Sequence, residues 1–299
     1  MAIDYSTSKT LGIIGLGIMG GAMAEAFLAA GYKVCGYDPA GAAAQRLKRA
    51  GGEPLASATE VAERADILIT SLASAAALDD VVTDICRSRK RRRLLIEMST
   101  LPLADKRRAR TRLARARVIA LDCPVSGTAV RLRERTWTIF ASGARAACTR
   151  AKPVLAVLAD NTPYVGTYGN GTRMKFVANH LVAILNVASA EALLFGRRMG
   201  LDIRRVLEVF GPSPVVGTGV MRLRGELMVK RRYRPATMKI AVWQKDMRII
   251  GDMARASGAP TPLFDASAPV FTAALRQGFG EADTASVYEV LDRKSLRSR

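Results

Sequence analysis

The chain has 299 residues, of which 49% are hydrophobic and 24% are charged. This is the ordinary balance of a globular protein, it gives no sign of a long disordered stretch, and the length suffices for two domains. Lys and Arg number 46 against 26 Asp and Glu, so the formal net charge is +20. Such an excess favours an anionic partner, for example a nucleotide or a carboxylate substrate.

Two residue types restrict the chemistry. His180 is the only histidine, so a histidine-based metal site or a Ser-His-Asp triad has almost no material, and we expect no bound metal. The four cysteines have no metal-binding or redox spacing and are expected to be reduced, mostly buried thiols, at Cys35, Cys86, Cys123 and Cys148. Residues 1–10 lack the features of a signal peptide, and no apolar run reaches the ~20 residues of a membrane span. We therefore expect a soluble, cytoplasmic protein.

Strands and helices alternate through the first half of the chain. Short apolar runs predict strands, and amphipathic or small-residue segments predict helices. The predicted strands are 11–14, 33–37, 67–72, 94–98, 118–121 and 137–141. The predicted helices are 20–30, 40–50, 59–64, 78–86, a basic helix after Pro102, and 144–158. This alternation favours a parallel, doubly wound sheet.

The pattern changes near Pro163. From Thr172 onward the apolar residues have helical spacing, and no segment has the alternation of a strand. Helices are predicted at 175–199, 202–210, 217–228, 238–257 and 262–277. The fold class is therefore an α/β Rossmann N-terminal domain followed by an all-α C-terminal domain. We expect residues 1–165 to bind a dinucleotide, and residues 166–299 to bind substrate and to dimerise.

A glycine-rich loop follows the first predicted strand. Its sequence is Gly15-Leu16-Gly17-Ile18-Met19-Gly20, a GxGxxG pattern between a strand and a helix. In that context the glycines permit a tight turn and a close approach of a pyrophosphate to the helix N-terminus. Asp38 ends the second strand, where a carboxylate binds the adenosine ribose and repels a 2′-phosphate. NAD is therefore the expected cofactor, with NADP possible, and Arg46 lies too far along the next helix to act as a phosphate clamp.

Several segments in order resemble the β-hydroxyacid dehydrogenase family, which includes 3-hydroxyisobutyrate dehydrogenase and belongs to the 6-phosphogluconate dehydrogenase superfamily. The segments are 15–24, which resembles the cofactor loop, Ser99-Thr100-Leu101-Pro102, Asp122-Cys-Pro-Val-Ser-Gly127, 169–179 and the pair Lys245-Asp246. The resemblance covers essentially the whole chain. It implies reversible hydride transfer between NAD(P) and a small β-hydroxy acid or its semialdehyde or keto form, carried out by a homodimer or homotetramer.

The resemblance also assigns roles to residues. Lys175 would be the general acid and base, while Ser126, Gly127, Thr128 and Asn179 would bind a small anionic substrate. Ser99, Thr100 and Lys245 would join the glycine-rich loop and Asp38 at the cofactor.

The residue pattern agrees with these roles in part. Lys175 and Asn179 are four residues apart on a predicted helix and therefore share a face, whereas His180 points about 100° away and is expected to pack or to face solvent. Lys245 could lower the pKa of Lys175 as a neighbouring cation, or it could form a salt bridge with Asp246.

The substrate loop departs from the family pattern. Thr128, Arg131 and Arg135 stand where the family has glycines, which predicts a reshaped loop and leaves the substrate open. One alternative is an imine reductase-like NADPH enzyme, which Lys175 argues against because that related group usually has another residue there. Another is a non-catalytic nucleotide- or nucleic-acid-binding homologue. The net charge favours it, but only 6% of the residues are aromatic and they are not interleaved with the basic runs, so nucleic acid is not expected.

Overall fold

The structure is a computed structural model that describes residues 10–89, 93–129, 132 and 134–297. The chain divides into two compact units, Met1–Lys175 and Phe176–Arg299. Each unit is described by itself.

The first unit is built on a six-stranded parallel sheet with the strand order β3-β2-β1-β4-β5-β6. The strands are β1 (Thr10–Ile14), β2 (Lys33–Tyr37), β3 (Glu53–Pro54), β4 (Ile67–Thr70), β5 (Leu94–Glu97) and β6 (Ile119–Asp122). The connecting helices are α1 (Ile18–Ala29), α2 (Gly41–Arg49), α3 (Ala58–Arg64), α4 (Ala75–Arg87) and α5 (Leu103–Arg115). The predicted Rossmann topology is confirmed. Its strand order reverses between β1 and β4, the place where open α/β sheets bind ligands at the carboxyl edge.

The central strands were predictable because they are buried on both faces. Every residue of β4 and β5 is buried, and strands covered on both sides by helices appear as continuous apolar runs. β3 was missed because it has only two residues, Glu53 and Pro54, and exists through its pairing with β2.

A small hairpin follows the sheet in sequence. β7 (Val125–Ser126) pairs antiparallel with β8 (Thr138–Ile139), and α6 (Arg145–Leu158) comes next. The predicted strand 137–141 is thus shorter than expected. Its partner β7 was not predicted because two residues carry no periodicity.

The second unit is helical, as predicted. Its helices are α7 (Asn170–Arg198), which begins in the first unit, α8 (Ile203–Phe210), α9 (Gly219–Val229), α10 (Ile240–Ser257), α11 (Pro262–Ala274) and α12 (Val287–Arg297). α7 begins five residues before the predicted start, and α12 was not predicted. A π-helical turn, Leu275–Phe279, ends the segment expected to be one helix through residue 277.

α7 is the core helix of the second unit. Ala183, Ala190 and Leu193 are fully buried and pack with Trp243 and Phe271. By length and composition alone, α7 is also long and apolar enough to cross a membrane, as the core helix of a soluble protein can be.

Gly20 provides a test of the turn between β1 and α1. A Cβ on Gly20 would lie 1.8 Å from the carbonyl oxygen of Gly15, a backbone atom that cannot move aside cheaply. Gly20→Ala should therefore lower the free energy of unfolding by about 1–3 kcal/mol or more, measured by urea denaturation.

Gly17 is the matched control, because a Cβ there would meet no atom within 4 Å and its φ is −62°. Gly17→Ala should change the free energy of unfolding by no more than about 0.5 kcal/mol. Equal stabilities for the two variants would contradict the close approach of helix and strand.

Candidate active site

The glycine-rich loop has the geometry of a phosphate cradle. Gly15 has φ +90°, which forms the turn at the end of β1. Gly17 is exposed, and a Cβ there would meet no atom within 4 Å. Gly17 is also the N-cap residue of α1, and no side chain among the described residues caps this helix. Uncapped N–H groups at a helix start, with no side chain in the way, fit a pyrophosphate. Of the other predicted residues here, Leu16 is buried, Met19 is half-buried and Ile18 is 69% exposed.

Asp38 lies beside this loop. Its Oδ2 accepts a hydrogen bond from the Leu16 N–H at 2.7 Å, and its Oδ1 accepts one from the Ala40 N–H at 2.8 Å. Arg46 also reaches the loop, where its Nη2 donates to the Leu16 carbonyl oxygen at 3.2 Å. The expectation that Arg46 lies too far away was therefore wrong, because a long side chain on the second turn of α2 extends back to the loop.

The carboxyl ends of β5 and β6 carry two buried carboxylates side by side. The strand register pairs Glu97 with Asp122, and the two residues are 1% and 0% exposed. Between them lies the Nζ of Lys106 from α5, also 0% exposed, at 2.5 Å from Glu97 Oε2 and 2.6 Å from Asp122 Oδ1. Burial by itself lowers the pKa of Lys106, but the attraction of the two carboxylates outweighs it and raises that pKa.

The three protons of the Lys106 ammonium have three hydrogen-bond acceptors of good geometry. They are Asp122 Oδ1, the Ser99 carbonyl oxygen at 2.9 Å and Thr172 Oγ1 at 2.9 Å. Within the described part of the chain, Glu97 Oε2 receives no hydrogen bond of that quality, so its attraction to the ammonium is mainly one of charge. We call this set, Glu97, Ser99, Lys106, Asp122 and Thr172, the Lys106 network.

Sequence reasoning missed the Lys106 network because Lys106 begins a run of basic residues that is otherwise typical of a solvated helix face. One signal could have found it. Lys106 lies on the buried stripe of α5, between Leu103 and Ala109. A lysine on the inward-facing stripe of a helix requires a buried partner.

Asp122 also holds the start of α7. Its Oδ2 accepts a hydrogen bond from the Thr172 N–H at 2.8 Å, one of the N–H groups that a helix start leaves without a partner in the helix. Ser142 Oγ accepts another from the Gly171 N–H at 3.0 Å. A Cβ on Gly171 would lie 2.5 Å from the Asp122 carbonyl oxygen, so glycine is required for this approach. Lys175 lies one turn further along α7 and is half-buried.

The loop after β5 contains the predicted cofactor residues Ser99 and Thr100. Ser99 is 5% exposed, and its Oγ accepts a hydrogen bond from the Leu72 N–H at 2.7 Å, while its own N–H donates to Glu97 Oε1 at 2.9 Å. Thr100 is half-buried. Ser99 therefore ties the loop after β4 to the loop after β5.

The predicted substrate loop is held in place by contacts with Trp137. Ser126 and Thr128 are half-buried and Gly127 is exposed. Trp137, 1% exposed, donates from Nε1 to the Thr128 carbonyl oxygen at 2.8 Å. Gly127 has φ +154°, and a Cβ there would lie 2.3 Å from the Trp137 ring.

Of the three residues that predict a reshaped loop, Thr128 and Arg135 are described. Arg135 donates from Nε to Asp160 Oδ1 at 2.9 Å, so its guanidinium is held by a surface carboxylate. Arg131 lies outside the described residues. The Oγ1 of Thr128 is buried and has no hydrogen-bond partner among the residues that the structure describes.

In the second unit, Asn179 and the Lys245-Asp246 pair come together. Asn179 is 3% exposed, and its Nδ2 donates to Asp246 Oδ2 at 2.9 Å. Lys245 Nζ lies 3.5 Å from Asp246 Oδ1, so the salt bridge considered for Lys245 is present. His180 stacks on Phe264 with ring centroids 5.3 Å apart, which agrees with a packing role.

Comparisons with known proteins agree with this geometry. Residues 10–166 match the model of the NAD binding domain of 6-phosphogluconate dehydrogenase, and residues 169–291 match that of the NAD-binding domain of NADP-dependent 3-hydroxyisobutyrate dehydrogenase. The L-threonate dehydrogenase of Cupriavidus necator is 30% identical to the chain over 95% of this chain and 96% of the relative. The chain belongs to the β-hydroxyacid dehydrogenase family. The predicted family, the enzyme class of hydroxyacid dehydrogenases and the NAD(P) cofactor are confirmed.

Two further relatives support the assignment. The 2-hydroxy-3-oxopropionate reductase of Escherichia coli is 30% identical over 94% of this chain and 97% of the relative. The crystal structure of 3-hydroxyisobutyrate dehydrogenase from Salmonella typhimurium superposes with a TM-score of 0.84 at 30% identity, over 94% of this chain and 99% of that one. An imine reductase from Pseudomonas sp. has a TM-score of 0.63 at 21% identity, a likeness that shows the fold alone.

The contact between Gly127 and Trp137 can be tested by a double-mutant cycle. Gly127→Ala should lower the free energy of unfolding by about 1–3 kcal/mol because the new methyl group collides with the indole ring. Trp137→Leu removes that ring. The double variant should therefore lose less free energy of unfolding than the sum of the two single losses, by at least about 0.5 kcal/mol. Urea denaturation of the four proteins measures the coupling.

Gly31 separates backbone strain from the ring contact. It also has a positive φ, +84°, but a Cβ there would meet no atom within 4 Å. Gly31→Ala should be additive with Trp137→Leu. Additivity of the Gly127 pair as well would show that the loop does not rest on the indole.

Proposed function

We propose that this member of the β-hydroxyacid dehydrogenase family reversibly oxidises the hydroxyl group of a small 3-hydroxy acid, with Lys175 as the general acid and base. One observation carries the proposal. The buried carboxylate of Asp122 opens the substrate loop, residues 122–127, and also caps α7 one turn before Lys175. A single residue thus anchors both a half-buried amine and a loop of directional hydrogen-bond donors.

The bound nicotinamide ring supplies the hydride acceptor for oxidation of the alcohol. Lys175, as a neutral amine, accepts the proton of the substrate hydroxyl, and as an ammonium it returns that proton in the reverse direction. The Ser126 hydroxyl and the Gly127 N–H donate to the substrate carboxylate. Asn179, oriented by Asp246, keeps its carbonyl oxygen and one N–H for the substrate.

The substrate class is supported by the relatives and by charge. Relatives are named for L-threonate, 2-hydroxy-3-oxopropionate and 3-hydroxyisobutyrate, which are short hydroxy or oxo acids. The net charge of +20 favours such an anion. Thr128 remains a proposed substrate contact, and Lys245 and Thr100 remain proposed cofactor contacts.

The cysteines bear on the compartment in which the enzyme works. All four cysteines are free thiols, which supports a reducing compartment, the cytoplasm.

Residues 1–165 are proposed as the dinucleotide-binding domain and residues 166–299 as the substrate and dimerisation domain of a homodimer or homotetramer.

NAD is the proposed preferred cofactor. Asp38 carries the carboxylate that would accept hydrogen bonds from a ribose 2′-OH and repel a 2′-phosphate. Arg46 lies at the same loop and is the cation that would meet a 2′-phosphate once that repulsion is removed.

Removal of the Asp38 carboxylate should change the cofactor preference. A hydrogen bond to a charged group contributes about 1.5–3 kcal/mol, so Asp38→Ser should lower the ratio of kcat/KM with NAD to kcat/KM with NADP by at least about tenfold. Adding Arg46→Ala should remove the gain with NADP. An unchanged ratio would contradict the proposed place of Asp38 beside the ribose, and steady-state absorbance assays measure it.

Loss of the Lys175 amine should stop turnover without releasing the cofactor. Lys175→Ala should lower kcat by about 10²–10⁴-fold, while the Kd of the reduced cofactor, measured by fluorescence titration, stays within about threefold. Lys175→Arg keeps the charge but cannot transfer a proton at neutral pH, so it should be equally slow.

Lys152, an exposed lysine of α6, provides the control, and Lys152→Ala should have the turnover of the wild type. The assay uses a panel of 3-hydroxy acids with NAD and with NADP. Full turnover by Lys175→Ala would exclude the proposed role, and recovery by Lys175→Arg would reduce it to an electrostatic one.

A further inference from the structure

The Lys106 network joins three segments that carry proposed site residues. Ser99 belongs to the loop after β5, Asp122 opens the substrate loop and Thr172 lies in the first turn of α7. Lys106 Nζ contacts all three, at 2.6–2.9 Å. All of these residues, and Lys175, belong to the first unit.

Stability alone does not account for this arrangement. Removing an ammonium and two carboxylates from water costs free energy, and this cost offsets most of the attraction between them. Apolar replacements of buried ion clusters are often neutral or stabilising. What an apolar cluster cannot provide is direction. The three protons of one ammonium fix three acceptors on three separate segments, and these acceptors are bonded to further groups in turn, such as Thr172 Oγ1 to Asp122 Oδ1 at 2.7 Å.

We propose that Lys106 is a positioning residue for the dehydrogenase reaction. It locks the start of α7, and with it the Lys175 amine, to the Ser99 loop and to the substrate loop. Asp122 alone still caps α7 when Lys106 is lost, but the link from α7 to the loop after β5 then disappears. Because a misplacement of ~1 Å can cost ~10²-fold in rate, the loss appears in kcat. The inference rests on the proposed role of Lys175.

The test is the double variant Glu97→Gln/Lys106→Met. It removes one ammonium and one carboxylate together, so the net charge of the cluster stays the same, and methionine fills the space of the lysine stem. Asp122 loses its cation but keeps its hydrogen bonds from Thr172 and Ser142. The amide introduced by Glu97→Gln keeps an acceptor for the Ser99 N–H, and Asp122 keeps its bond to α7. We expect kcat per folded molecule to fall by about 10–100-fold, with the cofactor Kd within about threefold. The thermal midpoint should fall as well, because the buried Asp122 carboxylate loses its cation. A kcat within about twofold of the wild type, per folded molecule, would overturn the proposal.

A milder pair of variants serves if that protein does not fold. Thr172→Val removes the hydroxyl that accepts from Lys106 but keeps the backbone N–H that Asp122 binds, while Thr172→Ser keeps both. We expect Thr172→Val to lower kcat by about tenfold with little change in KM, and Thr172→Ser to restore it. Equal kcat values for these two variants would count against positioning through the network.

Arg93 is the matched control for the loss of a buried cation. It is also 0% exposed and donates to the Ala62 and Ile85 carbonyl oxygens and to Ser88 Oγ, at the amino end of β5. Arg93→Met should lower the thermal midpoint and leave kcat per folded molecule unchanged. A similar fall of kcat in Arg93→Met would assign the effect of the double variant to general loosening.

Lys175→Ala distinguishes the two proposals. If Lys175→Ala is inactive and the double variant is fully active, the positioning role fails and the proposed function stands. If Lys175→Ala turns over normally, the proposed function fails first.

Discussion

The site depends on two buried carboxylates that the strand register places side by side. Glu97 and Asp122 are paired across β5 and β6. Like charges on such neighbouring residues repel strongly when they are buried away from solvent. A cation must lie between them, and it must be compact, because the space is enclosed by two strands, α5 and the start of α7. The ammonium of Lys106 is such a point charge, whereas the planar guanidinium of an arginine is larger and spreads its charge over a fork of donors.

This constraint extends along the carboxyl edge of the sheet. A Cβ on Gly15 would lie 2.3 Å from the Ser71 carbonyl oxygen, so the cofactor loop lies directly against the loop after β4. The Leu72 N–H then donates to Ser99 Oγ, and Ser99 accepts from Lys106. The phosphate cradle and the start of α7 are therefore connected by a series of short contacts through three loops. Each loop is thus fixed by a neighbour as well as by its own sequence.

The sequence predicts those parts of the molecule that are determined locally. The strands β4 and β5 and the GxGxxG loop can each be predicted, because a few adjacent residues suffice to identify them. The start of α7 does not. It begins at Asn170 rather than near Lys175, because side chains distant in sequence, Asp122 and Ser142, bind its first N–H groups. The two-residue strands β3 and β7 likewise exist only through pairing.

The same distinction separates the site residues that were expected from those that were not. Lys175 and Asn179 could be placed on one helix face from their spacing alone. Lys106 could not be paired with Glu97 and Asp122, since the partners are contributed by two strands and the pairing depends on register. Arg46 was misjudged for a related reason. Distance along a helix is not distance in space, because the long side chain of Arg46 spans from α2 to the carbonyl oxygen of Leu16.

The substrate loop shows how a side chain further along the sequence can fix the backbone of a loop. Glycines make a loop adaptable at an entropic cost, and here Thr128 takes the place of one of them. The loop is instead fastened by Trp137, whose ring packs under Gly127 and whose N–H binds the Thr128 carbonyl oxygen. Because that bond uses the backbone of Thr128, the hydroxyl of the same residue is left without a partner among the described residues. The backbone of the loop is therefore held by an aromatic ring and by one indole N–H that follow it in sequence, a constraint that the residues of the loop alone do not reveal.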